Sequence, residues 1–134
     1  QGVTSVGNNR NGRSIEIDCN GALQSLAGLS GVNGSLPGSL WIRHNANLST
    51  LDGLQGVTSV GQDRQGRSIR IYGNGALQSL AGLSGVNGSL PGSLWIQNNA
   101  KLSSLDGLQG VTSVGQDRQG RSIRIYGNGA LQSL

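Results

Sequence analysis

The sequence is poor in several residue types on which many folded proteins depend. Its 134 residues contain no Met, no Phe, one Cys, one His and two Pro, and aromatic residues make up only 3%. A single Cys excludes a disulfide framework within the chain, because each bridge needs two thiols. There is no charged-then-apolar leader and no apolar run of about twenty residues, so the sequence predicts neither a signal peptide nor membrane insertion within this segment.

Composition alone would indicate a loose, loop-rich chain, since hydrophobic residues make up 34% and there are 24 Gly. The order of the residues indicates otherwise. One frame, apolar-x-apolar-x-x-Asn-x-x-Leu-x-x-Leu-x-Gly-Leu-x-x-Val, returns along the whole chain. It fits residues 15–32, 40–57, 69–86 and 94–111, and a shortened pass begins at Ile123.

Two periods describe this repetition. The long unit is 54 residues, giving 1–54, 55–108 and a partial 109–134 that repeats 55–80 without change. Each long unit holds two strand positions, so the true unit is a coil of alternating length, 25 and then 29 residues. Such a period with one short strand per coil is typical of a solenoid. We expect one solenoid segment over residues 1–134, an interior fragment of a longer array.

The strand of each coil predicts two rows of outward side chains. Leu40 and Ile42 should face the core, which leaves Trp41 and Arg43 on the outer face. We call the two rows of the outer face the outer ladders. The first consists of Glu16, Trp41, Arg70, Trp95 and Arg124, and the second of Asp18, Arg43, Tyr72, Gln97 and Tyr126.

An Asn occupies one fixed position in every coil. These residues are Asn20, Asn45, Asn74, Asn99 and Asn128. The chain must turn out of the strand there, and a column of side-chain amides would satisfy backbone groups that lose their ladder partners. We therefore interpret this Asn ladder as structural.

The segments between strands predict turns and no long helix. After the Asn, every third residue is apolar, which suits extended or 3₁₀-like turns. The short return carries Asn-Gly and Pro-Gly turn signals. The long return should form loops that bulge on every second coil. These loops supply most of the net charge of +4, through Arg10, Arg13, Arg64, Arg67, Arg118 and Arg121. They lack interleaved aromatics, and two carry Asp63 or Asp117, so nucleic acid is not a predicted partner.

The string Leu-Trp-Ile-x-x-Asn-Ala-x-Leu-Ser-x-Leu-Asp-Gly-Leu-x-x-Val, which begins at Leu40, resembles the repeats of the receptor L-domain group of leucine-rich, β-helical solenoids. That group includes insulin- and EGF-receptor ectodomains and many extracellular proteins of algae, protists and bacteria. The resemblance covers the whole chain. It implies a right-handed, all-β solenoid with 3₁₀ and extended connections, and an extracellular or cell-surface location. Near-identical repeats and the lack of paired cysteines set this chain apart from the hormone receptors.

The outer ladders are open to three interpretations. Indole and guanidinium planes at strand spacing can stack and stabilise the sheet. They can also form an association surface, since aromatic and Arg residues are enriched at interfaces. A site for a sugar chain or for an acidic polymer is the third. Glu16 and Asp18 replace Arg70 and Tyr72, so the amino-terminal end of the face is acidic and the rest is basic or aromatic.

Cys19 and His44 occupy the same slot in adjacent coils. A thiol beside an imidazole is a possible nucleophile, but the sequence shows no third orienting group. Two ligands also fall short of the three or four of a typical zinc site. We therefore expect a solitary, buried or partly buried thiol, no cofactor and no metal.

Three sequons match the N-glycosylation pattern. They begin at Asn33, Asn47 and Asn87. Two of them share the short return turn, where a glycan would project away from the core.

These features together predict a structural protein and not an enzyme. We expect part of an extracellular rod, coat or filament that assembles with itself or with neighbouring subunits through its faces or ends. A receptor or adhesin ectodomain that recognises glycans or proteins on the strand face is the alternative. An ice-binding solenoid is a weaker one, because the outward strand residues are bulky and charged instead of small hydroxyls.

Overall fold

Parallel pairing between successive strand repeats builds the main sheet. The computed structural model describes residues 3–132. Its strands are β1 (Arg13–Asp18), β2 (Gly34–Leu36), β3 (Ser39–Arg43), β4 (Val57–Val60), β5 (Arg67–Tyr72), β6 (Gly88–Leu90), β7 (Ser93–Gln97), β8 (Val111–Val114) and β9 (Ile123–Tyr126). The main sheet has the order β1-β3-β5-β7-β9, with every neighbouring pair parallel. The chain is therefore an all-β solenoid of stacked coils, as the sequence predicts.

Two short, two-stranded sheets lie on the return side of the coils. Strands β2 and β4 pair in parallel, and so do β6 and β8. The sequence predicts only turns and loops in these segments, and the structure shows paired strands there. Leu36 and Val60 pack inward, while the hydroxyls of Ser35 and Ser59 meet at 2.7 Å on the outer side.

The core is a set of apolar columns that run through the coils. Leu48, Leu51 and Leu54 of one coil are fully buried. Their counterparts in the next coil, Leu77, Leu80 and Leu83, are buried to the same degree. Single 3₁₀ turns at Ala27–Leu29 and Ala81–Leu83 carry part of the three-residue pattern. Burying each such side chain contributes roughly 1.5–3 kcal/mol, which explains how a sequence with few hydrophobic residues folds.

The Asn ladder forms as the sequence predicts and is fully hydrogen-bonded in its centre. Asn74 is buried, and its Oδ1 accepts the backbone N–H and the Nδ2–H of Asn45, both at 3.1 Å. Its Nδ2 donates to the Ile42 carbonyl at 3.1 Å and to Asn99 Oδ1 at 3.2 Å. The same pattern links all five Asn, with sequence steps of 25 and 29 residues. Each amide therefore ties one coil to the next and closes the turn out of the strand.

Glycine permits the coils to approach closely. Gly53 and Gly107 have φ of 119° and 117°. A Cβ on either residue would lie within 2.0 Å or 1.9 Å of the carbonyl oxygen of Leu26 or Leu80. These positions therefore require glycine for both space and backbone conformation. No helix in the described part of the chain has the length and apolar character to cross a bilayer.

The long loops contact one another across an intervening coil. The backbone N–H of Arg64 donates to the Asn11 carbonyl, and that of Arg118 to the Gln65 carbonyl, each at 2.9 Å. These bonds join residues 53 positions apart. The expected row of Arg-containing loops along one edge is present, and its members are directly bonded.

Candidate interaction face

The register of the main sheet produces the two predicted outer ladders. Glu16 pairs with Trp41, Trp41 with Arg70, Arg70 with Trp95 and Trp95 with Arg124. In the second ladder the order is Asp18, Arg43, Tyr72, Gln97 and Tyr126. The strands thus place both sets of side chains on one face, at a spacing of roughly 4.8 Å from coil to coil.

The indoles on this face are covered, which favours stacking within the sheet over an exposed aromatic surface. Only 3% of Trp41 and 7% of Trp95 is exposed. Both residues lie on the outer side of the sheet, but arginine side chains from the strands and from the adjoining loops close over them. Over the first ladder, the surface that a partner meets is therefore cationic, with the indole rings beneath it, while Tyr126 of the second ladder is exposed.

Guanidinium groups from three coils surround Trp41. The Cζ atoms of Arg13 and Arg67 lie 3.6 Å and 4.5 Å from its ring centroid. Those of Arg43 and Arg70 lie at 5.0 Å and 4.8 Å. All four fall within the distance of a cation–π interaction. Arg13 and Arg67 end the long loops and stand outside the first ladder, so the alternation in the ladder does not reveal them.

Trp95 repeats this arrangement one long unit further on. Arg121 and Arg124 lie 4.5 Å and 4.9 Å from its ring centroid, and Arg70 lies at 4.8 Å. Arg67 is at 5.8 Å. Arg67 and Arg70 therefore touch both indoles and link the two clusters into one continuous column.

A carboxylate at the start of the second and third long loops positions one of these arginines. Asp63 Oδ1 accepts the backbone N–H groups of Gln65 and Arg67 at 2.9 Å and 3.0 Å, and its Oδ2 lies 3.2 Å from Arg67 Nε. Asp117 repeats this turn with Arg121, whose Nε lies 2.9 Å from Oδ2. Asn9 closes the first loop with the same two backbone bonds, to Asn11 and Arg13. Sequence reasoning missed this role, although the recurring Asn/Asp, two residues before Asn/Gln and four before Arg, was a usable signal.

The loop turn also determines the ionisation of its carboxylate. Burial acts to raise the pKa of Asp117, but hydrogen bonds from the Arg121 and Gln119 amides and from the Arg121 side chain outweigh it. The pKa of Asp117 therefore lies below its ordinary value. Asp117 is held as an anion in the folded state, and it keeps Arg121 over Trp95.

Charge is balanced at the amino-terminal end of the face and unbalanced further along. Glu16 pairs with Arg13 at 2.7 Å, and Asp18 pairs with Arg43. Arg70 and Arg124 occupy the position of Glu16 in later coils, and within residues 3–132 neither has a carboxylate as a salt-bridge partner. Burial, reinforced by the positive charges of Arg67 and Arg43, lowers the pKa of Arg70 from its ordinary value.

Cys19 and His44 do occupy equivalent slots, but their side chains take different partners. The Cys19 thiol is exposed, which corrects the expectation of burial, and it donates to Asp18 Oδ1 at 3.2 Å. That hydrogen bond is the main reason why the pKa of Cys19 is raised from its ordinary value, and this disfavours the reactive thiolate. His44 packs edge-on against Tyr72, with ring centroids 4.8 Å apart. Both residues have positive φ, 61° and 55°, so the slot is defined by backbone conformation.

The three sequon Asn side chains are exposed. Asn33 and Asn87 donate to the carbonyls of Gly31 and Gly85 at 3.2 Å and 3.1 Å, and Asn47 donates to Gly21 at 2.6 Å. In the described range, no cluster of three or more His, Cys, Asp or Glu has the arrangement of a metal site.

Comparison with known proteins gives no family to which the chain can be assigned. Neither a protein-family model, nor a curated protein, nor a solved structure matches it. We therefore infer the function of the chain from the geometry of the strand face and of the arginine–tryptophan column.

Proposed function

We propose that this chain is a structural segment of an extracellular solenoid, a stiff repeating rod that holds other elements at fixed distances. The observation that supports this role best is the Asn ladder, in which the side-chain bonds at the four coil junctions have nearly equal lengths of 3.2, 3.1, 3.2 and 3.1 Å. Identical junctions make a regular stack that does not bend at preferred points.

The use of polar side chains inside the structure favours the same role. Trp41 and Trp95 are enclosed by arginines, and the ladder Asn side chains are bonded between coils. Asp63 and Asp117 close the loops on which the guanidinium groups depend. These residue types often serve catalysis or ligand binding, and here each has a structural partner.

Membership of the receptor L-domain group, the right hand of the solenoid and location outside the cell belong to this proposal. They rest on the repeated Leu-Trp-Ile-x-x-Asn frame. Self-association through faces or ends, and glycans at Asn33, Asn47 or Asn87, would fit a coat or filament, because all three sequon side chains lie at the surface.

Arrays of different length test the rod directly. Each added 54-residue unit contributes two coils, so the maximum dimension from small-angle X-ray scattering should rise by roughly 10 Å per unit, at about 4.8 Å per coil. We expect this increase to stay linear for tandem arrays of two, three and four units.

The control is an array in which the ladder Asn of two adjacent central coils is replaced, through Asn74→Gly and Asn99→Gly. This array should lose its linear dimension or its folded signal at those coils. If the unmodified arrays instead grew as the square root of length, as a flexible chain does, the rod would be excluded.

A further inference from the structure

The long units carry different charges at one position of the face. Glu16 in the first unit corresponds to Arg70 in the second and Arg124 in the third. Glu16 neutralises Arg13 at 2.7 Å, whereas the later units add a cation there. Each of the later clusters contains one arginine held by a loop carboxylate, Arg67 or Arg121, and one without such a partner, Arg70 or Arg124. The face therefore has an excess of positive charge from the second unit onward.

The stacking of arginines on the indole rings does not by itself require this excess of positive charge. Arg70 lies among the guanidinium groups of Arg67, Arg43 and Arg13, and their repulsion adds to burial in lowering its pKa. Like charges that cluster around the same indole ring destabilise a surface unless an anion compensates them. An anionic partner that lies along the face would supply that compensation, since Arg70 and Arg124 are only partly buried.

The spacing of the free cations selects among anionic polymers. Arg70 and Arg124 belong to β5 and β9, which are two strands apart in the main sheet. At about 4.8 Å per strand, the two positions repeat every 9.6 Å or so along a straight line. Arg67 and Arg121 make a second row with the same repeat.

We propose that the basic column formed by Arg67, Arg70, Arg121 and Arg124 binds a linear acidic polysaccharide whose carboxylate or sulfate groups face the protein once every two sugars. In a two-fold, β-linked chain, alternate sugars turn the same side toward a surface, and their repeat has about the length of two coils. Arg70 and Arg124 bind these anions, and Arg67 and Arg121 border them. This site does not depend on the rod role proposed above.

Other polyanions fit the same face less well. An extended acidic peptide presents same-side residues every 6.7 Å or so, out of step with alternate coils. Single-stranded nucleic acid needs a row of exposed aromatic rings on which successive bases stack. On this face Trp41 and Trp95 are buried, Tyr72 is half-buried and Tyr126 is exposed, so the face offers no such row. The phosphates of a duplex follow a helical path, and only a few of them can meet a straight row.

Calorimetry with a mannuronate octasaccharide tests the site, and a sulfated octasaccharide of the same linkage separates carboxylate from sulfate recognition. At an ionic strength of about 0.05 M, where screening is weak, Arg70→Gln and Arg124→Gln should each raise Kd by about fivefold. Lys101→Gln is the matched control, because it removes one exposed positive charge from a turn outside the face. It should change Kd by less than about twofold.

Glu16→Arg tests the site through an expected gain in affinity, which a loss of folding could not produce. It extends the row of free cations by one member at the same two-coil spacing, so we expect tighter binding by about fivefold. Tryptophan fluorescence and circular dichroism should show that Trp41 stays covered in each variant.

Three results would overturn the proposal. One is an equal loss for Lys101→Gln and Arg70→Gln, which would indicate diffuse attraction. Another is the absence of any gain for Glu16→Arg in a folded variant. The third is tighter binding, at the same salt, of an acidic peptide, of nucleic acid or of a neutral mannan octasaccharide. The scattering experiment on arrays uses no ligand, so its failure would be distinct from failure here.

Discussion

At the residue scale, one slot after each main-sheet strand has a left-handed backbone. The five φ values are 61° at Cys19, 55° at His44, 70° at Gly73, 59° at Asn98 and 72° at Gly127. Glycine adopts this conformation freely, Asn and His tolerate it, and Cys is strained there. Backbone conformation therefore accounts for the two glycines, the Asn and the His in this slot, and it identifies Cys19 as a residue held there at some cost in stability.

Replacing Cys19 by glycine should stabilise the protein. The change Cys19→Gly removes the unfavourable contact of Cβ in the left-handed region, and we expect the free energy of unfolding to rise by about 0.5–1 kcal/mol. Urea unfolding followed by circular dichroism would measure it.

The control for this prediction is Cys19→Ala, which removes the thiol and keeps the Cβ. We expect this variant to match the parent chain or to be slightly less stable. Equal stabilisation by Ala and Gly would mean that the thiol, and not the backbone, was the source of the cost.

Some single-residue features follow from the sequence pattern, and others depend on how far side chains extend from neighbouring coils. The ladder neighbours of Trp41 follow from strand register, and the structure confirms them. Its burial does not follow, because Arg13 and Arg67 approach from loop ends that belong to different coils. The left-handed slot was predictable in principle, since glycine fills it in two of the five coils.

At the scale of elements, the Asn ladder should be the most sensitive junction. Asn74→Ala would leave the buried backbone N–H of Asn45 without its acceptor. It would also remove one hydrogen bond each from Asn45 Nδ2, the Ile42 carbonyl and Asn99 Oδ1. An unsatisfied buried group costs roughly 1–3 kcal/mol and each lost bond about 0.5–1.5 kcal/mol, so we expect a loss of about 3 kcal/mol or more in the free energy of unfolding, measured in urea.

An exposed Asn in the same chain is the natural comparison. Asn47 makes one side-chain bond, to the Gly21 carbonyl at 2.6 Å, and water can replace it. We expect Asn47→Ala to cost less than about 1 kcal/mol. Similar losses at the two positions would show that the ladder bonds are not what stabilises the junction.

The long loops should make stability depend on acid pH. The folded-state pKa of Asp117 is lowered, so its contribution is complete above the unfolded pKa of about 3.9 and is lost as pH falls through the lower folded value. We expect Asp117→Asn to weaken that loss between about pH 4 and pH 2, because Asn keeps the two backbone bonds, as Asn9 does.

Thermal unfolding of Asp117→Asn and the parent chain across this pH range would check the prediction. A variant with an unchanged acid profile would contradict it. Asp52→Asn is a suitable control, since Asp52 is exposed and lies in a short turn.

The sequence predicts the strands of the main sheet better than the short strands on the return side of the coils. Main-sheet strands have strict alternation and a fixed place before each Asn, so both period and register are visible. The pair β2 and β4 has only three and four residues. Its Gly34 lies in an Asn-Gly signal that ordinarily marks a turn. Pairing there depends on the neighbouring coil, and no local pattern encodes it.

At the scale of the whole molecule, the interlocked loops extend contacts beyond nearest-neighbour coils. Gly66 and Gly120 lie in loops of identical sequence and have φ of 81° and 78°. A Cβ on Gly66 would be 2.9 Å from Asp117 Cα, whereas nothing lies within 4 Å of that position at Gly120. The two sites differ in loop packing alone.

Alanine at these two positions should therefore have unequal effects. Both variants carry the cost of a left-handed alanine, about 1–2 kcal/mol, and Gly66→Ala adds the displacement of the neighbouring loop. We expect the larger fall in the midpoint of urea unfolding for Gly66→Ala. Equal midpoints would mean that the loop contact contributes nothing to stability.

The sequence anticipates the architecture at this scale because periodicity is a global property. The steps of 25 and 29 residues appear directly as hydrogen bonds between ladder Asn side chains. Loop packing could not be predicted in the same way, since the spatial distance between alternate loops depends on how far each loop bends back along the axis.

The Asn ladder has one more property, which is direction. In every bond between neighbouring ladder Asn residues the earlier coil donates and the later coil accepts. The dipoles of these bonds consequently add along the axis, much as peptide dipoles do along a helix. Two such ladders can continue one another only when both run the same way, because reversal would set acceptor against acceptor or donor against donor. A fibre built coaxially from this repeat would be polar and would grow differently at its two tips.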